Sequence, residues 1–132
     1  MTKILVVEDS ERLGEMLVER LERRGHSVLL AIDPAEALAS AKASRPDVIV
    51  LESQLRGADE WATARALKFD DHTRDIPIIG LMVSNSEEAR AAALQNGCDA
   101  LHGKPIDFGR LIREIDAAAE KSGAEGEADL EG

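Results

Sequence analysis

Asp47-Val48-Ile49-Val50-Leu51-Glu52-Ser53-Gln54-Leu55-Arg56-Gly57 is the stretch that decides the fold. Four apolar residues in a row, with Pro46 before them and a polar exit ending in Gly57 after, read as a short strand buried on both faces. Such strands belong to parallel sheets covered by helices. This one closes on an acid, Glu52. Open parallel sheets bind ligands beyond the carboxyl ends of their strands, where strand order reverses, so the residue that ends the strand is also the first candidate for chemistry.

Working outward, β-type runs alternate with helical patterns along the chain: Lys3 to Val7, Ser27 to Ala31, Val48 to Leu51, Ile76 to Leu81 and Ala100 to His102. Five such units predict an α/β fold, a doubly wound five-stranded parallel sheet flanked by five helices. The first helix, roughly Glu11 to Arg24, sets Leu13, Met16, Leu17 and Leu21 on one stripe and stops at Gly25. Asp33-Pro34 opens the second with a capping carboxylate and a proline where the missing N–H costs nothing, and that helix ends near Ser44. The third is expected from about Asp59 to Phe69. The fourth begins near Ser84 or Ser86, with Glu87 and Glu88 in its first turn, and stops at Asn96-Gly97. Asp107 caps the fifth, whose inward stripe is Leu111, Ile112 and Ile115, continued by Ala118 and Ala119. Beyond Lys121 no periodicity remains, so the expected organisation is one domain over residues 1–121 and a disordered acidic tail over 122–132.

Composition narrows the function classes. A chain of 132 residues with 44% apolar content fits a single domain that folds without staples. Only Trp61, Phe69 and Phe108 are aromatic, so Val, Ile, Leu and Ala must build the core. The formal charge of −10 argues against direct nucleic-acid binding, which needs clustered Lys and Arg to displace counterions. Glu125, Glu127, Asp129 and Glu131 supply four of those charges, leaving about −6 on the body. The apolar run Ile4-Leu5-Val6-Val7 is far too short for a signal segment or a membrane span, and the single Cys98 suits a reducing compartment; a cytoplasmic location is expected.

Three strand ends bring acids and an ammonium together. The first ends in Glu8-Asp9, the third in Glu52, and the fifth in Gly103-Lys104-Pro105. Close carboxylates repel, so Lys104 or a hard divalent cation such as Mg²⁺ must compensate, or one acid must take up a proton. Glu8-Asp9 alone also reads as favourable negative charge at a helix N-terminus.

Several other residues have plain readings. Ser84 reads as the cap of the fourth helix, although it could partly stand in for a hydroxyl at the site, and Cys98 as a small semi-buried residue without a feature that would activate its thiol. His26, His72 and His102 lack metal-ligand spacing among themselves and read as surface or edge residues. Trp61 reads either as a partner-facing residue of the third helix or as packing on the sheet.

From Lys3 to about Glu120 the sequence resembles the receiver domain of two-component response regulators. Lys3-Ile-Leu-Val-Val-Glu-Asp9 looks like that family's first strand and acidic pair, Arg45-Pro-Asp-Val-Ile-Val-Leu51 like its third strand, and Ile76-Pro-Ile-Ile-Gly-Leu81 like its fourth. Gly97-Cys-Asp99 and Gly103-Lys104-Pro105, followed by Asp107-Phe108, resemble the fifth strand, its lysine and the last helix. The resemblance implies a flavodoxin-like strand order of 2-1-3-4-5. It also implies a site in which an acidic pair, Glu8 and Asp9, binds Mg²⁺, an aspartate accepts phosphate from a phosphohistidine, and Lys104 holds the phosphoryl group. A hydroxyl after the fourth strand and an aromatic in the fifth then report phosphorylation.

Three positions depart from that pattern. Glu52 stands where the acceptor aspartate belongs, and its extra methylene carries the carboxylate about 1.5 Å further. Phosphoryl transfer depends on in-line positioning, and misplacement of that order costs roughly 10²-fold in rate. Met82 occupies the hydroxyl position, and a thioether cannot donate a hydrogen bond to a phosphoryl oxygen. Leu101 occupies the aromatic position and has no polar tip. Glu52 is expected to pair with Lys104 and hold one conformation.

The sequence thus reads as a single-domain response regulator in two-component phosphorelay signalling that works as a phosphorylation-independent interaction module, a pseudo-receiver. It is expected to be no enzyme and to have no catalytic residue, to meet a histidine kinase or another response regulator, and to form a homodimer through the fourth helix, fifth strand and fifth helix. No output domain is expected after the fifth helix. An alternative keeps the chemistry, with Asp9 or Glu52 accepting phosphate from a histidine kinase in the presence of Mg²⁺. A nucleotide- or flavin-binding reading needs a phosphate-cradling loop after the first strand, where Glu8-Asp9-Ser10-Glu11 would repel the anion.

Overall fold

The computed structural model describes residues 2–131, with side chains described as far as Lys121. Strands β1 (Lys3–Val7), β2 (Ser27–Ala31), β3 (Val48–Glu52), β4 (Ile78–Met82) and β5 (Ala100–Gly103) alternate with helices α1 (Glu11–Arg23), α2 (Pro34–Ser44), α3 (Ala62–Phe69), α4 (Glu87–Gln95) and α5 (Phe108–Glu131). All strand pairs are parallel, in the order β2-β1-β3-β4-β5. The doubly wound, five-stranded expectation is met in element count, type and order.

Strand alternation divides the core into two layers. Leu5, Val7, Ile49, Leu51 and Ile78 face α2, α3 and α4, meeting Ala37, Ala41, Ala64, Leu67 and Ala93. Ile4, Val6, Val48, Val50, Ile79 and Leu81 face α1 and α5, meeting Leu17, Leu21, Leu111, Ile112 and Ile115. Because both faces are covered, the central strands carry continuous apolar runs instead of alternation.

Caps fix the helix starts. Asp33 accepts from Glu36 N at 2.8 Å with Pro34 as the first helical residue, and Ser10 begins α1 with a longer contact of 3.4 Å to Leu13 N. Asp107 Oδ1 accepts from Arg110 N at 3.1 Å at the start of α5. The cap of α4 is Ser86, whose Oγ accepts from Ala89 N at 3.1 Å, so the assignment of that role to Ser84 is corrected. Ser84 is exposed, and its hydroxyl lies 3.4 Å from that of Ser86.

Several boundaries move. β4 starts at Ile78, because Pro77 has no N–H to give a ladder, although its carbonyl accepts from Ile49 N at 2.9 Å. It runs on to Met82, which pairs with Gly103. α3 starts at Ala62, three residues late, because Trp61 adopts a left-handed backbone with φ of 63° and no side-chain cap. That turn drops the indole into the core over Gly80, where an added Cβ would lie 2.6 Å from Trp61 Cη2 and 2.9 Å from Cys98 Sγ. Of the two readings of Trp61, packing on the sheet is the one realised. The backbone of α5 continues past residue 121 to Glu131, where the sequence led us to expect no regular structure; the side chains of 122–131 and all of Gly132 lie outside the described residues, and with them the division into domain and tail. Among the described residues, no helix is long and apolar enough to cross a membrane.

Candidate functional site

The site lies where β1, β3 and β5 end. Glu8 follows β1 and is 2% exposed; Glu52 ends β3 and is 6% exposed. Lys104 follows β5 and is held in register by its own N–H, which donates to Met82 O at 2.9 Å. From there its ammonium reaches Glu52 Oε2 and forms an ion pair. The other oxygen of Glu52 lies 3.3 Å from both Ser53 Oγ and Gln54 N. Of the four side chains that the sequence placed at strand ends, Glu8, Glu52 and Lys104 are therefore brought together, and Lys104 joins Glu52 directly.

Glu8 is the member whose hydrogen bonding is incomplete. Its Oε1 accepts from Ser10 N at 3.0 Å, while Oε2 is buried without a hydrogen-bond partner. Burial pushes the Glu8 carboxyl up to about 7, against the Ser10 N–H; the neighbouring Glu52 adds to the rise and Lys104 opposes it. Two ionised carboxylates have no hydrogen to share, whereas a protonated carboxyl can donate to its neighbour. A proton there lets Glu8 donate to Glu52, and the acid pair then holds one negative charge against one ammonium.

Asp9 turns away from this pair. Its Oδ2 accepts from Arg56 N at 2.8 Å, with the Arg56 guanidinium Nε at 3.8 Å, so the carboxylate ties the β3–α3 loop to the end of β1. Receiver-type sites use such acids for Mg²⁺, but among the described residues no three His, Cys, Asp or Glu side chains are arranged to hold a metal ion. With Asp9 on Arg56 and Glu52 on Lys104, the side chains as arranged do not fit a resident Mg²⁺. The positive charge beside the acids is supplied by Lys104.

Met82 and Leu101, which the resemblance sets at the positions of a hydroxyl and an aromatic, sit in the apolar layer. Met82 is buried in the cluster that holds Trp61, Cys98 and Ala93, and half-buried Leu101 packs against the same cluster. Neither presents a polar atom that could follow charge at Glu52. Cys98 is more deeply buried than expected, and burial, with Asp99 beside it, pushes its thiol up to about 12, so it is no thiolate at neutral pH.

His102 corrects another reading. Read as a surface or edge residue, it does lie on the edge strand β5 but is fully buried on its α5 side, with Nδ1 3.1 Å from Glu114 Oε1 and Nε2 3.1 Å from Asp107 N. Sequence reasoning also missed Arg56 as the partner of Asp9. The only available signal for His102 was position: in the run Ala100-Leu101-His102 it shares a face with Ala100, which strand alternation makes inward.

Residues 4–116 match the family model described as the response regulator receiver domain. The chain is 33% identical over 129 residues to the phosphate regulon transcriptional regulatory protein PhoB of Pseudomonas aeruginosa, covering 97% of this chain and 56% of PhoB, so it spans little more than half of that relative. It is 30% identical over 117 residues to the protein PilH of the same organism, covering 89% of this chain and 97% of PilH. Among solved structures, the chemotaxis response regulator CheY4 of Vibrio cholerae superposes with a TM-score of 0.83 at 26% identity, covering 89% of this chain and 98% of that one. Strand order, the acid and lysine positions at the strand ends, and the matched span agree: the chain belongs to the response regulator receiver domain family.

Proposed function

We propose that the chain is a pseudo-receiver in two-component signalling, a phosphorylation-independent interaction module that works in the cytoplasm with a histidine kinase or another response regulator. The observation that carries this reading is the Lys104–Glu52 ion pair. The ammonium that would hold an incoming phosphoryl group is already engaged by the carboxylate at the acceptor position. Buried Met82 and half-buried Leu101 add support, since neither has the hydroxyl or ring needed to report phosphate. Mg²⁺ is not required in this reading.

Its signal passes through partner binding or pairing, with α4, β5 and α5 as the proposed face. Leu94 on α4 and Val83 just before it are exposed by 51% and 69%, offering apolar area beside an alanine-rich helix. A two-fold pair makes such a patch self-complementary. Neither nucleic acid nor membrane is a partner here, in keeping with the formal charge of −10.

Incubation with Mg²⁺ and a small phosphodonor, followed by intact-mass measurement, tests the reading. The mass is expected to stay unchanged. A stoichiometric gain of one phosphoryl group would overturn the proposal in favour of phosphate acceptance by Asp9 or Glu52. Glu52→Asp is expected to remain without phosphate-dependent pairing in light scattering, because Met82 and Leu101 are still present; robust phosphate-dependent dimerisation of that variant contradicts it.

A further inference from the structure

His102 is a fully buried titratable side chain in a strand otherwise made of small and aliphatic residues. Its register partner on β4 is Leu81, so its polar contacts come from its other side. There Asp107 N lies 3.1 Å from Nε2, and Glu114 Oε1 lies 3.1 Å from Nδ1. A backbone N–H can only donate, so Nε2 must carry a lone pair, and the hydrogen of the neutral ring is on Nδ1, where it donates to Glu114. Arg110 Nη2, 3.4 Å from Nδ1, then faces an N–H and makes no bond to it; Arg110 is held instead by its Nε donating to Glu114 Oε1 at 3.1 Å. The charged groups around the ring are thus Glu114 and Arg110 from α5 and Asp107 from the loop before it.

The bond from Asp107 N to Nε2 closes the five-residue step that contains Lys104, Pro105 and Ile106. At one end of that step, Lys104 N–H is fixed to Met82 O; at the other, Asp107 caps α5 through Arg110 N. We propose that His102, in its Nδ1-protonated neutral form, is a positioning residue that latches the Lys104 loop to α5. It acts on the site through Lys104, setting the ammonium against Glu52, and links the pose of α5 to the acid pocket. The latch depends on the local geometry alone and stands whether or not the chain accepts phosphate.

Long-range ¹H–¹⁵N correlation of the imidazole in the labelled full chain at neutral pH tests the tautomer. The expected pattern has a protonated Nδ1 and an unprotonated Nε2; a ring protonated at Nε2, or at both nitrogens, overturns the proposal. His102→Leu removes the acceptor and is expected to speed exchange of the Asp107 amide on the order of tenfold and to shift the Lys104 Nζ resonance. His102→Gln, which restores an acceptor and a donor, is expected to recover both signals in part. Unchanged Asp107 exchange and an unchanged Lys104 resonance in His102→Leu defeat the latch. Were that variant not to fold, the tautomer of the unaltered chain would still decide the question.

Discussion

Two lysine–acid clusters sit at opposite ends of β4 and β5, and they differ in one respect. At the amino end, Lys68 Nζ donates to Arg74 O at 3.2 Å, Ile76 O at 3.0 Å and Asp99 Oδ2 at 2.9 Å, and Asp99 Oδ2 also accepts from Ile78 N at 2.8 Å. Each of the three ammonium hydrogens has an acceptor, and the cluster staples α3 to the sheet. At the carboxyl end, Lys104 faces two buried acids, and one oxygen of Glu8 has no partner. The same residue types make a closed structural joint in one place and, in the other, a pocket with one acid more than it has ammonium groups. A surplus of buried acid is what distinguishes a site from a staple.

Removing either lysine tests that contrast most directly. Lys104→Met leaves the buried Glu52 without its ammonium beside Glu8 and is expected to cost about 3 kcal/mol in urea unfolding at neutral pH, with the loss shrinking as pH falls and Glu8 takes up its proton. Lys68→Met is expected to cost about 1 kcal/mol, with little pH dependence, since Asp99 keeps its bond from Ile78 N. Equal losses with equal pH dependence would erase the distinction between the two ends.

The pH profile of the unaltered chain sharpens the same point. Folded, Glu8 holds its proton to about pH 7; its ordinary value is 4.5. Between those values the folded state binds the extra proton, so stability falls as pH rises. The contribution is complete below about 4.5 and gone above about 7, and Glu8→Gln is expected to abolish this segment of the profile. The size is at most on the order of 3 kcal/mol. A stability curve that instead rises steadily from pH 4.5 to 7, unchanged in Glu8→Gln, would refute the protonated pair.

Between the two ends, Gly80→Ala forces a methyl against Trp61 and Cys98 and is expected to cost about 2 kcal/mol without altering that pH profile. Trp61 is the chain's single tryptophan, so its emission should redden as the indole is pushed from its slot. An unshifted spectrum and an unchanged midpoint would mean that the slot is looser than the contacts imply.

Much of this molecule was legible in its sequence, and the reasons are local. Strands read clearly where both faces are buried, because Val48-Ile49-Val50-Leu51 has no polar interruption. Helices read clearly where a cap is a side chain: Asp33 and Asp107 announce themselves, whereas the start of α3 depends on a left-handed tryptophan that no propensity favours. Ser84 and Ser86 are both able to cap α4, and only the path of the loop chooses between them. That Glu8, Glu52 and Lys104 lie near one another could be read in advance because strand ends in a parallel sheet converge.

What the sequence by itself determined is therefore which elements form and which residues end the strands. Tertiary structure alone decided how the charges pair: Lys104 on Glu52 across 52 residues, Asp9 on Arg56 across 47, the burial that raises the Glu8 carboxyl, and His102 turned inward onto α5. The physical reason is range. Capping and periodicity act within a few residues, but which carboxylate meets which cation depends on strand order and register, and burial then raises the carboxyl whose second oxygen has no partner.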